Sequence, residues 1–254
     1  MSSTSVYEKL LQIKDQNGAG FLMLVDPDKT TPDNLPSLVE NAIQAGVDAF
    51  LVGGSLLLTP NFDRYIKTFK QYSKEKPVII FPGGVHQISA HADAILFLSL
   101  LSGRNADHLV GTQVQASPII HSLNLEPIST AYLLIESGQV TSAEFMSGTR
   151  PLPRHKPEIA MAHALTAQYF GFKFVYLEGG SGAKFSVPPS LVKAISSSIE
   201  IPVIVGGGIR TPEEAAEKVE SGASFVVTGT ILEAQNDLDF IKAFAAAIHQ
   251  RKSV

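Results

Sequence analysis

The sequence predicts a single (β/α)8 barrel, and three observations carry that reading. Eight short apolar runs recur along the chain, with amphipathic stretches between most of them. Runs of Val, Ile, Leu and Phe without strict alternation mark strands buried on both faces, as in a parallel sheet covered by helices. Periodicity alone also allows a doubly wound open sheet, but that fold usually carries its glycine fingerprint after the first strand, and here the glycines gather after the last three runs. At 254 residues the chain suits one domain, residues 1–254, with a sizeable core; no linker, charge block or low-complexity stretch divides it.

The runs fall at 21–25, 49–52, 78–81, 94–100, 131–135, 174–177, 202–205 and 225–227. Amphipathic segments at 33–45, 188–197 and 212–221 follow the first, sixth and seventh; each opens with Asp, Pro or Thr-Pro, and Gly46 and Gly222 stop two of them. The third unit departs from the pattern. Only Pro82-Gly-Gly-Val-His-Gln-Ile-Ser-Ala-His-Ala-Asp93 separates the third and fourth runs, too little for a crossover helix and two turns, so the third barrel helix is expected to be absent or rudimentary. The alternative is one short helix at 88–91. The turn-rich stretch at 138–157 reads as an elaborated loop.

Composition removes several classes of function. A formal net charge of −4 gives no support to nucleic-acid binding, which usually needs a basic patch or stripe, so any bound anion must be held locally. With no cysteine there is no disulfide scaffold and no thiolate chemistry. The start, Met-Ser-Ser-Thr-Ser-Val-Tyr-Glu, lacks the regions of a signal peptide, and the longest apolar stretch falls well short of the roughly 20 residues that span a bilayer. A cytoplasmic enzyme is the resulting expectation.

In barrel enzymes the site lies at the C-terminal ends of the strands, with phosphate commonly held by the loops after strands seven and eight. Gly206–Gly208 and Gly229–Thr230 occupy those places, and Tyr176-Leu-Glu-Gly-Gly-Ser-Gly182 adds a third glycine-rich end; together they read as one phosphate cradle rather than as separate tight turns. None matches a nucleotide-binding fingerprint. On the other rim, the first strand ends in Asp26-Pro-Asp-Lys29 and the second in Gly53-Gly-Ser55. A carboxylate and a hydroxyl from neighbouring ends suit Mg²⁺ that keeps waters and shares a substrate phosphate, the alternative being that Asp26 or Asp28 only caps a turn. The seven histidines show no paired zinc spacing.

Glu178 is the one carboxylate inside the sixth strand's glycine-rich end, and serves there either as a general base or as an orienting acceptor for a hydroxyl. Tyr176 shares its side of the strand and either donates a hydrogen bond or packs. The loop carrying Arg150, Arg154, His155 and Lys156 emerges on the same rim, where its charges either meet a substrate or stay solvated.

The segments Leu24-Val-Asp-Pro-Asp-Lys29, Val52-Gly-Gly-Ser55, Phe81-Pro-Gly83, Arg150-Pro-Leu-Pro-Arg-His-Lys-Pro157, Tyr176-Leu-Glu-Gly-Gly-Ser-Gly-Ala183, Val205-Gly-Gly-Gly-Ile-Arg210 and Thr228-Gly-Thr230, in this order and spacing, resemble the geranylgeranylglyceryl phosphate synthase family. That family includes bacterial heptaprenylglyceryl phosphate synthases. The resemblance implies a modified barrel lacking the third helix, and a prenyltransferase joining sn-glycerol 1-phosphate to a polyprenyl diphosphate, geranylgeranyl diphosphate first. It implies Mg²⁺ on Asp26 and Ser55, and glycerol phosphate on Tyr176, Leu177, Glu178, Gly179, Gly180, Ser181 and Gly182, on Gly207 and Gly208, and on Gly229 and Thr230. Glu178, with Tyr176 beside it, is the expected catalytic group. The thin wall at the third unit is the expected exit for the prenyl tail, with Phe97, Leu101 and Tyr132 near enough to contribute, the alternative for each being ordinary barrel core. Many archaeal relatives carry Asn-Pro-Tyr-Trp after the fourth strand, where this chain has Asn105-Ala-Asp-His108, so tail length does not carry over. A homo-oligomer and transient contact with the inner membrane face complete these expectations. The rivals are another phosphate-binding barrel, such as a sugar-phosphate isomerase, and a non-catalytic barrel that binds a phosphorylated or lipid ligand.

Overall fold

In a computed structural model, which describes residues 4–249, eight parallel strands pair in sequence order and close into a barrel. They are β1 Gly20–Val25, β2 Ala49–Val52, β3 Val78–Ile80, β4 Ala94–Ser99, β5 Glu126–Leu134, β6 Phe174–Glu178, β7 Val203–Gly206 and β8 Phe225–Thr228. The pairing of Gly20 with Phe225 and of Met23 with Thr228 joins the first strand to the last, which excludes the open sheet. Gly20 is needed at that seam, because a Cβ there would lie 2.5 Å from the Phe225 ring.

The surrounding helices are α1 Val6–Asn17, α2 Leu35–Ala45, α3 Phe62–Tyr72, α4 Thr112–Ser122, α5 Ser142–Ser147, α6 Pro157–Tyr169, α7 Pro189–Ser196, α8 Pro212–Glu220, α9 Thr230–Gln235 and α10 Leu238–Ile248. Their starts follow local chemistry. Thr211 accepts a hydrogen bond from the Glu214 amide at the head of α8, and Asp237 does the same for the Phe240 amide at α10. Proline stands in the first turn of α2, α6, α7 and α8, where its missing N–H costs nothing.

No helix forms between β3 and β4, and the short alternative at 88–91 is coil. The segment is pinned instead by Gln87, a fully buried side chain whose Nε2 donates to the Gly54 carbonyl (2.7 Å) and whose Oε1 accepts from the Gly54 amide (3.2 Å). This one amide does for the loop what a helix does elsewhere: it satisfies backbone groups at the rim. Outside the strands there, a loop that packs through Ile88 and Ala92 takes the place of a helix.

Two apolar layers result. Side chains of alternating register, among them Leu22, Leu51, Leu96, Ile128, Phe174 and Phe225, fill the barrel interior, while Phe21, Met23, Phe50, Val52 and Val175 face the helices. The interior is stoppered at its N-terminal end by Val6 and Leu10 of α1. The Glu126 carboxylate holds that helix by accepting from the amides of Val6 (2.7 Å) and Tyr7 (3.0 Å). The fifth strand therefore starts at Glu126 rather than at residue 131. The polar residues Glu126, Ser129 and Thr130 interrupt its apolar pattern because they bind α1 or the neighbouring backbone. The 138–157 loop carries the short helix α5, and the chain returns to the sheet through a bridge from Ile135 to Leu152.

Candidate active site

One cavity of about 600 Å³ opens at the C-terminal ends of the strands. Its first compartment is the glycine cradle. Gly180, Ser181, Gly182, Gly207, Gly208, Gly229 and Thr230 line it, with Thr230 opening α9. Gly180, Gly182, Gly207 and Gly208 have φ of +100°, +70°, +81° and +74°, in the left-handed region. At Gly207 there is also no room: a Cβ would lie 2.3 Å from Glu178 Oε1 and 2.4 Å from the Gly180 amide. Two residues expected in the cradle are not on its surface. Leu177 points outward into the helix layer, as strand alternation requires, and the Gly179 amide is spent on the Gly206 carbonyl (2.9 Å).

Glu178 stands between this cradle and the barrel interior, 5% exposed. Burial pushes its carboxyl up to about 7, opposed by the Gly180 amide, which donates to Oε1 at 2.5 Å, and by the hydroxyls of Tyr176 and Tyr132. The Tyr176 hydroxyl is near enough to influence Glu178 but is buried without a hydrogen-bond partner of good geometry. Both tyrosines are held well above their ordinary pKa, first by burial and then by the Glu178 charge. Gly206 makes room for Tyr176, since a Cβ there would sit 2.4 Å from its hydroxyl. Phe81 stacks on Tyr176 with centroids 5.1 Å apart, and Tyr132 completes the trio at 5.5 Å from Tyr176 and 5.9 Å from Phe81. All three rings line the cavity beside Glu178.

Across the mouth, Asp26 and Ser55 both line the cavity, and the β2 end runs beside Asp26: a Cβ on Gly54 would lie 3.6 Å from Asp26 Oδ1. Glu233 of α9 fixes the strand end, its Oε1 accepting from the Asp26 amide (2.9 Å) and the Thr30 hydroxyl (2.8 Å). Burial raises the Glu233 carboxyl above its ordinary value. Asp28 has a different task. Its carboxylate accepts from the amides of Leu58 (2.8 Å) and Thr59 (2.6 Å) and from the Thr59 hydroxyl; slight burial pushes its pKa up, but these bonds outweigh it and hold it below the ordinary value. Asp28 is thus tied to the loop after β2, whereas Asp26 faces the mouth, its Oδ1 accepting from the Asp28 amide (3.0 Å) and its Oδ2 paired with Lys29 (3.3 Å). No cluster of three or more metal-binding side chains occurs among the described residues. One carboxylate and one hydroxyl fit a hard cation that keeps most of its waters, as Mg²⁺ does, and do not fit a protein-caged metal.

Lys29, to which sequence reasoning assigns no role, bridges the two rims. Its Nζ lies 3.3 Å from Asp26 Oδ2, 3.3 Å from Ser181 Oγ and 3.2 Å from Thr230 Oγ1. Glu233 and Gln87 are likewise invisible to motif reading, since their partners Asp26, Thr30 and Gly54 are distant in the chain.

The second compartment is an apolar groove. It passes through the thin wall at β3 and β4, between Val85 and Ile88 of the connecting loop, the outward side chains Ile95 and Phe97 of β4, and Ala116 and Ile120 of α4. Phe97 and Tyr132 line the cavity as expected, whereas Leu101 does not. Arg150, Arg154, His155 and Lys156 stay outside it as well.

Fold and cavity together define a (β/α)8 barrel whose mouth joins a glycine-lined anion cradle to an apolar groove through a buried carboxylate. Known proteins narrow that class. The chain belongs to the PcrB family, whose model matches residues 11–248. It is 44% identical over 237 residues to a geranylgeranylglyceryl phosphate synthase of Flavobacterium johnsoniae, covering 93% of this chain and 96% of that protein. To the enzyme of the same name from Chitinophaga pinensis it is 37% identical, covering 96% of each. The crystal structure of (S)-3-O-geranylgeranylglyceryl phosphate synthase from Thermoplasma acidophilum, in complex with its substrate sn-glycerol-1-phosphate, superposes with a TM-score of 0.91 at 37% identity, covering 97% of this chain and 99% of that one.

Proposed function

We propose that this protein joins sn-glycerol 1-phosphate to geranylgeranyl diphosphate, forming a prenylglyceryl phosphate ether and releasing diphosphate. The observation that carries the reading is the continuity of one cavity, from the cradle past Glu178 and out through the gap at β3 and β4. A sugar-phosphate isomerase has no use for that groove.

The acceptor's phosphate sits on the backbone N–H groups of the three glycine-rich ends, with Lys29, Ser181 and Thr230 at its edge. Its free terminal hydroxyl then reaches Glu178. With a pKa near 7, this carboxylate is ionised often enough to accept a proton at neutral pH and basic enough to take it. As the glycerol oxygen bonds to the allylic carbon of the donor, that carbon's bond to diphosphate breaks, the electron pair leaves with diphosphate, and the hydroxyl proton passes to Glu178. Phe81, Tyr132 and Tyr176, which line the cavity beside Glu178, put aromatic rings near the carbon that gains positive charge. Asp26 and Ser55 would hold Mg²⁺, which when bound neutralises the leaving diphosphate. The tail lies against Ile95, Phe97, Ala116 and Ile120, out of water.

Incubating the protein with Mg²⁺, labelled sn-glycerol 1-phosphate and prenyl diphosphates of increasing length tests the reading. An ether product with the geranylgeranyl donor is expected; no product with any donor overturns it. The product is an amphiphile, so transient contact with the inner membrane face belongs to the proposal; among the described residues no helix is long and apolar enough to cross a membrane. A homo-oligomer is also part of it, and light scattering on the purified chain checks that point.

A further inference from the structure

Behind the cradle lies a second cavity of about 230 Å³, walled by Arg154, residues 184–189 of the loop after β6, and Glu214, Glu217 and Lys218 of α8. Two cations meet there without an acceptor. Lys218 is 2% exposed and, among the described residues, its ammonium makes neither a hydrogen bond nor an ion pair. Arg154 Nη1 is buried with no hydrogen-bond partner, and the guanidinium lies over the Phe185 ring, 4.8 Å from its centroid. Lys184 lies against the same ring at 5.1 Å. Burial holds the Lys218 ammonium below its ordinary pKa; the neighbouring carboxylates of Glu217 and Glu214 oppose that shift and the Arg154 charge adds to it. Glu214 is engaged elsewhere, accepting from the Arg210 amide at 2.7 Å.

Buried donors in native proteins nearly always have acceptors, and each exception calls for a missing partner. Here an orphaned guanidinium donor of Arg154 and the unpaired head group of Lys218, from distant parts of the chain, face one small space. We propose that this cavity is a second oxyanion site, outside the barrel mouth, that takes inorganic phosphate or diphosphate between Arg154 and Lys218. A guanidinium fork and an ammonium are the usual pair for such an anion. Three cations face two carboxylates, so the balance favours an anion. The volume falls below the roughly 300 Å³ at which pockets for drug-sized ligands begin, which leaves no space for a prenyl chain.

The site shares a wall with the cradle. Residues 183–185 continue directly from Gly182, and Arg210, on the cradle side, donates to the carbonyls of Ala183 (2.6 Å) and Lys184 (3.1 Å). The Phe185 amide donates to Ser137 at 3.0 Å. An anion drawn to Arg154 over Phe185 therefore braces the outer side of the acceptor loop.

Equilibrium dialysis of the full chain against phosphate, and separately against diphosphate, tests this with wild type, Lys218→Met and Arg154→Gln. Anion bound in the mouth is common to all three, so each variant is expected to bind one equivalent fewer than wild type of whichever anion fits. Thermal melts supply the control for folding. Phosphate or diphosphate should raise the wild-type Tm more than that of either variant, while Lys218→Met, which keeps the buried aliphatic stem, melts no lower than wild type without added anion. Equal stoichiometry and equal Tm rise in all three proteins would overturn the proposal. A loss confined to one of the two anions upholds it and names the ligand.

Discussion

Glu178 carries two consequences of one environment. Its carboxyl is raised to about 7 from 4.5, so below about pH 7 the folded enzyme holds the proton that a base must lack. With wild type, kcat/KM for the acceptor should rise about tenfold per pH unit up to about 7 and then level. Glu178→Gln should lose that limb and about 10²–10⁴-fold in kcat, with binding of sn-glycerol 1-phosphate kept; intact turnover would remove Glu178 as the base. The same shift enters stability. Below pH 4.5 folded and unfolded chains are both protonated and Glu178 costs nothing. Between 4.5 and 7 the unfolded chain ionises first, so stability falls as pH rises, by on the order of 3 kcal/mol in total. Denaturant titrations at pH 5 and pH 8 should show this loss in wild type and not in Glu178→Gln. On the opposite rim, Asp26→Ala should move the Mg²⁺ needed for half-maximal activity at least tenfold higher, and an unchanged Mg²⁺ titration would take Asp26 out of the site.

At the scale of elements, the informative unit is the one that lacks a helix. Counting residues between the third and fourth apolar runs was enough to expect the gap, because a crossover helix has a minimum length. What fills it was not countable: Gln87 reaches back across the rim to Gly54, a partner set by the closing of the barrel. The groove follows from the same gap, since the outward face of β4 meets α4 with no helix between. Ala116 lies on that path. Ala116→Phe should shorten the preferred prenyl diphosphate, with acceptor KM unchanged, when product lengths are compared across the donor series; an unaltered length profile would place the tail elsewhere. The fifth strand teaches the opposite lesson. Its first half is hidden by Glu126, Ser129 and Thr130, polar residues whose partners are the α1 amides, the Lys173 amide just before β6 and the Ile128 carbonyl of the same strand.

Across the whole molecule, chemistry and stability sit at opposite ends. The mouth is built of glycines, tight turns and a buried acid, while the N-terminal end is sealed by α1, with Leu10 1% exposed in the barrel interior. Leu10→Ala should cost about 2–5 kcal/mol in urea unfolding and leave acceptor KM and donor length preference unaltered. A change in either constant would mean that the stopper communicates with the site. The exposed basic loop shows how rim position alone misleads. Arg154 leaves the correct end of β5, yet it turns over Phe185 to the rear of the cradle rather than into the mouth.

By itself the sequence determined the eight strands, the missing third helix, the glycine cradle and the places of Asp26, Ser55 and Glu178 at strand ends. All of these are written locally, in apolar runs, chain length between runs and glycines that follow strands. Only the tertiary structure decided that Lys29 spans both rims, that Leu177 and Gly179 stay off the cradle surface, that Glu178 titrates near neutrality, and that Arg154 and Lys218 face one cavity. Those facts depend on burial and on through-space contacts between residues far apart in the chain, such as Lys29 with Thr230 and Arg154 with Lys218. No local pattern encodes a desolvation cost or an absent acceptor; both exist once the barrel has closed.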